Sequence, residues 1–234
     1  SHCCPPEVYL RGEIMQFNVN YSVEKFILNT NWEKFPEEVK KRAIVCGIDL
    51  MMALILGSKG EQFKAGLKIA KQYCAPNGNI TPVGCAEKFN ILGATIAMGH
   101  ASNSFDIDDG HNMIKGHPGT SFVGGTLAAA YEKDVPYREF LTTLVIAYDT
   151  TVRWALAMQE HYNFLHSTGT YGAYGTAVGI GRLYGLTYSQ LNNALSIADF
   201  HAPLTPVMRS VEYPSMNKDG GPYGALVGVM AILD

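Results

Sequence analysis

The chain has 234 residues, of which 47% are hydrophobic and 17% charged, with a formal net charge of -3. That composition excludes a disordered chain and supplies enough apolar material for one large domain with its own core. Because Lys and Arg form no dense run, neither nucleic acid nor an anionic membrane is an expected partner, whereas a small anion is.

The stretch VYLRGEIMQFNVNY at residues 8–21 alternates only loosely, a weak strand signal. No apolar run approaches the roughly 20 residues of a membrane span, and no basic segment leads into an apolar core, so neither a membrane anchor nor a signal peptide is expected. Cys3, Cys4, Cys46, Cys74 and Cys85 lack metal-ligand spacing and read as reduced thiols of a cytoplasmic protein.

Pro36 followed by Glu37 and Glu38 opens a helix whose apolar positions, Val39, Ala43, Cys46, Leu50 and Leu54, recur at threes and fours until Gly57. A second helix is predicted from Glu61 to Tyr73 and a third from Ala86 to His100. The small-residue run from Gly124 to Glu132 suits close helix packing. Pro136 then opens the longest pattern, to Met158, apolar on two sides and therefore a central buried helix of roughly 34 Å. Further helices are predicted from Gly169 to Tyr184, from Thr187 to Asp199 and from Gly221 to the end. The fold class is mostly α, a helical bundle. The glycines of YGAYGTAVGIGRLYG cost about 1 kcal/mol each in helix propensity, and close helix approach is the expected offset, with a ligand-cradling role as the alternative.

The least ordinary stretch is FDIDDGHNMIKGHPG, residues 105–119. Asp106 and Asp109 share a face if this segment is helical, and Asp106 and Asp108 do if it is extended. Either pair would raise one carboxyl pKa toward neutrality. The alternative is a helix cap, with Asp oxygens on backbone N–H groups. His111 and His117 follow, and the Pro118-Gly119 turn after His117 limits where its ring can go. A histidine fixed near paired carboxylates suits acid and base chemistry, although a solvated surface histidine has the same letters.

In FLHSTGTYGAYG, residues 164–175, His166 precedes Ser167 and Thr168, which open a helix. Its first N–H groups make a seat for a carboxylate, and Ser167 or Thr168 also serves as cap. In SMNKDGGPYGALVG, Lys218 precedes another glycine-rich helix start, a combination that favours an anion, although a single lysine is more often solvated.

The order DIDDGH, GHPG, HSTGTYGAYG with GRLYGLTYSQLNNALSIA, and SMNKDG before GALVGVMA resembles the MmgE/PrpD family, from about Ser22 to the end. The resemblance implies an N-terminal extension at 1–21 and a helical domain at 22–234. Full-length members add a smaller α/β lid domain, and this sequence stops where that lid would begin. The family includes 2-methylcitrate dehydratases that need no iron–sulfur cluster, cis-aconitate decarboxylases and an iminodisuccinate epimerase. A homodimer, no cofactor and no metal are implied, with a small polycarboxylate as substrate. Carried over by motif, Asp106, His117 and His166 are the catalytic candidates. Lys218, Asp109, His111 and Thr168 are the substrate-binding ones. Gly110 stands where decarboxylase-like members usually have Thr, and Asn103 where a His is common.

The expected activity is that of a lyase, a dehydratase or else a decarboxylase or epimerase, forming a carbanion next to a carboxylate. Two other readings share the letters. DIDD matches the DxDD acid of an isoprenoid cyclase, which would need Mg²⁺. A helical interaction module with a decayed site would bind no citrate-like anion and show no stabilisation by one.

Overall fold

The computed structural model describes residues 19–74, 78–214 and 217–234. Nine α-helices make up the described fold: α1 Val19–Asn29, α2 Glu37–Gly57, α3 Glu61–Tyr73, α4 Ile91–Ser102, α5 Pro118–Glu132, α6 Tyr137–His161, α7 Thr168–Leu183, α8 Tyr188–His201 and α9 Gly221–Leu233. Extended pairing among the described residues amounts to three isolated bridges, Ile80 with Phe89, His111 with Gly116 and His166 with Pro206. The mostly-α expectation holds. Of the weak strand signal, residues 8–18 and the pair Cys3 and Cys4 lie outside the described residues, and Val19 to Tyr21 belong to α1. Cys46, Cys74 and Cys85 are free thiols.

Two helix starts differ from the periodic pattern, for local reasons. α4 begins at Ile91 rather than Ala86, because Phe89 exchanges backbone bonds of 3.1 and 2.9 Å with Ile80. The Asn90 side chain then caps the helix by accepting from the Gly93 N–H at 2.9 Å. α5 begins at Pro118, well before the alanine-rich run, with proline in its first turn. α1, which the periodicity left unread, is fastened from a distance. Arg182 of α7 donates to the Thr30 carbonyl at 2.8 Å and to that of Ile27, while pairing with Glu139 of α6 at 2.8 Å.

The central helix is α7, not α6. It packs against α5, α6, α8 and α9 and is buried at nearly every position from Thr168 to Gly181. α6 buries Phe140, Leu144, Ala147 and Thr151 but turns Arg153 and Glu160 outward, so its second apolar stripe is only half covered. The glycines account for α7's enclosure. A Cβ on Gly224 of α9 would lie 2.1 Å from the Gly169 carbonyl oxygen, so the two backbones touch directly. On α2, Ala43, Gly47, Leu50 and Leu54 are buried, while Ile44, Ile48, Met52 and Ile55 on the other face are exposed. Among the described residues no single helix is long and apolar enough to cross a membrane.

This packing gathers three connections at one end of α7: the 103–117 loop, the 162–167 segment before α7, and the 202–220 connection before α9.

Candidate functional site

The acidic run divides among three partners instead of forming either expected pair with Asp106. Asp106 adopts a left-handed backbone, φ 57°, which turns it out of the loop toward Lys218, whose Nζ lies 2.5 Å from Oδ1. Asp108 turns inward, its side chain fully buried. One oxygen accepts from Asn103 Nδ2 at 3.0 Å and lies 3.3 Å from His117 Nδ1, while the other has no partner among the described residues. Asp109 caps α5, accepting from the N–H groups of Gly119 at 2.8 Å and Thr120 at 3.0 Å. Burial pushes the Asp109 pKa up to about 6; the two N–H bonds oppose the rise and the Asp108 charge adds to it.

His117 is held by its backbone and by one ring nitrogen. Its N–H donates to Thr168 Oγ1 at 3.3 Å, and its Nδ1 lies 2.7 Å from the Asp109 carbonyl oxygen. A carbonyl can only accept, so Nδ1 carries the proton and Nε2 is left for chemistry. His111 takes another course. Its N–H bonds the Gly116 carbonyl at 2.9 Å to close a small loop, and its Nδ1 is buried without a partner among the described residues.

The segment before α7 is pinned to the 202–220 connection. Ser167 N–H donates to the Thr205 carbonyl and Val207 N–H to that of Leu165, both at 2.8 Å. His166 is thereby buried against Phe164 and Tyr162, with ring centroids 4.6 and 5.5 Å away, and neither of its nitrogens finds a hydrogen-bond partner among the described residues. Burial lowers its pKa, and the Met158 backbone, near the ring but outside hydrogen-bond geometry, works against that shift. The seat expected for a substrate carboxylate at the start of α7 is occupied from within the chain. Asp219 Oδ1 accepts from Thr168 N–H at 2.9 Å, from Gly220 N–H at 2.7 Å and from the Ser167 hydroxyl. Thr168 itself is buried, its hydroxyl between His117 N–H and Tyr171 OH.

Two cavities adjoin these loops. One, of about 650 Å³, has Lys218, Asp219, Ser167, Asn217, Arg209 and His100 in its wall. The other, of about 1030 Å³, lies between α2, α6 and the acidic loop and includes Asp109, His111, Arg42 and Tyr148. Lys218 is thus separated from Asp109 and His111. Asp106 reaches the first cavity's wall through its ion pair with Lys218, whereas His166 is next to the wall residue Ser167 in the chain but does not itself line the cavity. Arg209, His100, Asn217 and Asp219 went unread in the sequence, because nothing local joins α4 to the 202–220 connection. Among the described residues no three His, Cys, Asp or Glu are grouped as metal ligands would be.

The first cavity's wall thus combines Lys218, Arg209, His100 and Asp219, a set suited to holding an anion, while His117 and His166 belong to the neighbouring loops and are not part of the wall of either cavity. A family model described as the MmgE/PrpD N-terminal domain matches residues 22–231. No curated protein matches the chain.

Proposed function

Because the chain belongs to the MmgE/PrpD family through its N-terminal domain, we propose that it is the helical part of a cofactor-independent lyase acting on a small polycarboxylate, with dehydration of a 2-methylcitrate-like substrate as the leading reaction. The observation that supports this most is the meeting of three distant loops through Lys218 with Asp106, Thr168 with His117, and Asp219 with Thr168.

In this reading Lys218 exchanges Asp106 for a substrate carboxylate, and its charge offsets the negative charge that builds on the carboxylate-bearing fragment in the transition state. Asp106 holds the lysine in place until then, a role different from charging a histidine. That role passes to Asp108, which with the Asp109 carbonyl holds Nδ1 of His117 and leaves Nε2 as the nitrogen for proton transfer. For dehydration, one imidazole takes the proton from the carbon next to a carboxylate. The electron pair forms the alkene as the β-hydroxyl leaves, and the second histidine, as imidazolium, gives that hydroxyl the proton that makes it water. His166, with two buried nitrogens and no partner among the described residues, is suited to the first task. Its lowered pKa keeps it in the basic form at neutral pH, and a polar ligand is the partner its burial otherwise denies it. Decarboxylation and epimerisation need the same carbanion and the same holders.

The test is exchange. Citrate, 2-methylcitrate and related acids incubated with the full-length gene product in D₂O should take up deuterium next to a carboxylate, seen by NMR, with or without EDTA. Exchange that EDTA abolishes and Mg²⁺ restores would contradict the cofactor-independent lyase, and its complete absence across such acids would favour the cyclase or the binding module.

A further inference from the structure

The 650 Å³ cavity carries more cationic and donor groups than the Lys218 motif accounts for. Arg209 sits in the short 3₁₀ turn Val207–Ser210, exposed, with no ion pair to another described residue, although the other cavity-wall cation, Lys218, is paired. His100 comes from α4 on a different side, its ring packed over Gly66 of α3, where an added Cβ would lie 2.9 Å from His100 Cδ2, and edge-on to Tyr223 of α9 at 6.0 Å. Its two nitrogens are unequal. Nε2 is sealed from solvent and has no partner among the described residues, so Nδ1 is the nitrogen left to meet an occupant of the cavity.

We propose that Arg209 and the Nδ1–H of His100 form a second carboxylate subsite in the wall of the Lys218 cavity, so that the ligand is held at two separated carboxylates rather than one. This rests on the reading of the cavity as a polycarboxylate site and adds the residues that select for the second carboxylate.

The chemistry of each side chain fits the task. A guanidinium binds a carboxylate through two parallel N–H bonds, and that of Arg209 has no ion pair among the described residues to compete with one. Burial of His100 lowers its pKa, so the ring is neutral at pH 7 and carries one proton. Sealed Nε2 goes without a partner in either tautomer, so the form that gains from an anionic occupant is the one with the proton on Nδ1, which turns a donor toward the cavity. Gly66 and Tyr223 fix the ring plane, so the N–H direction is set before the ligand arrives. The space suits a six- or seven-carbon polycarboxylate, falling within the ordinary range of small-ligand cavities. Asp219, the one carboxylate among the described residues of the wall, is engaged by the start of α7 and has no ion pair with Arg209.

Titration calorimetry of the chain with citrate at pH 7 tests the subsite, using Arg209→Gln, which lies on an exposed turn, and His100→Phe, which keeps a ring over Gly66 but removes the donor. Each is expected to weaken citrate at least about tenfold. Lys68→Gln, which removes the same charge on the outer face of α3 away from this cavity, should change it less than about twofold. His100→Gln, which restores a side-chain N–H, should recover part of the loss. If citrate binds the parent chain and the Lys218→Ala variant fails to bind, yet Arg209→Gln and His100→Phe bind as the parent does, the subsite is wrong while the polycarboxylate site stands. A parent chain that binds no citrate overturns both.

Discussion

At Asp109, burial and two accepted N–H bonds act in opposite senses, and burial prevails, leaving the carboxyl pKa at about 6 against about 4 in an unfolded chain. The folded state therefore holds a proton that the unfolded state has released between those values. Asp109 thus favours folding most below pH 4, and that contribution is lost as pH rises through about 6, on the order of 3 kcal/mol for a shift of this size. Denaturant unfolding of the parent chain and Asp109→Asn from pH 4 to 7 should show the difference between them narrowing in favour of the variant as pH rises; parallel profiles would contradict it. The raised pKa values of Glu24 and Asp199 and the lowered ones of His100 and His166 act in both proteins and cancel in that comparison. For His166, replacement by Gln in the full-length enzyme should cost at least about 10²-fold in turnover with an unchanged helical spectrum. The acid limb of the parent's kcat/KM should fall below the usual histidine value, because the buried ring resists protonation. Undiminished turnover in that variant would remove His166 from the mechanism. At this scale the sequence was legible as letters but not as partners. Asp106, Asp108 and Asp109 are a conspicuous run, yet which one meets a lysine, which a histidine and which a helix end depends on the φ of 57° at Asp106 and on chain segments far away.

Helices declared themselves where period and punctuation agreed, as for α2 and α3, and misled where a cap came from elsewhere. Asn90 is a readable cap, but the Ile80–Phe89 pairing that delays α4 is not, and the start of α5 is set by Asp109, ten residues earlier than the N–H it accepts. α1 depends on Arg182, 155 positions from the carbonyl of Ile27. The glycines of α7 mark close approach, as their sequence suggests, and Gly224 of α9 puts a magnitude on it. An alanine there would meet the Gly169 carbonyl oxygen at 2.1 Å, a backbone atom that cannot step aside without separating the helices. Gly224→Ala should lower stability by about 2 kcal/mol or more despite alanine's better helix propensity. Gly110→Ala, with no described atom within 4 Å of the added carbon, should change it by less than about 0.5 kcal/mol. Thermal melts of the two side by side check the contrast, and equal melting temperatures would mean that α7 and α9 do not touch as described.

At the scale of the whole molecule, two surfaces stand out among the described residues. α2 presents Ile44, Ile48, Met52 and Ile55 in one exposed stripe, a larger apolar face than scattered surface residues would give. A second copy of the chain is the occupant consistent with the homodimer expected of the family, and the double variant Ile48→Glu, Met52→Glu should sediment as a monomer if that face pairs; an unchanged dimer would place the contact elsewhere. The other surface is the cavity at the end of α7. That these loops converge could be suspected from four motifs in one order, but Arg209 and His100 join it only through the fold, and Asp109 and His111 prove to face a different cavity.

The most direct measurement of the central claim, that distant loops assemble one cavity for a polycarboxylate, is the melting temperature of the chain titrated with citrate, beside Lys218→Ala. A ligand bound only by the folded state stabilises it by mass action, about 2.7 kcal/mol at a concentration one hundred times its dissociation constant. The melting temperature should climb with citrate in the parent and stay flat in Lys218→Ala. A flat parent curve, or an equal climb in both proteins, would contradict it.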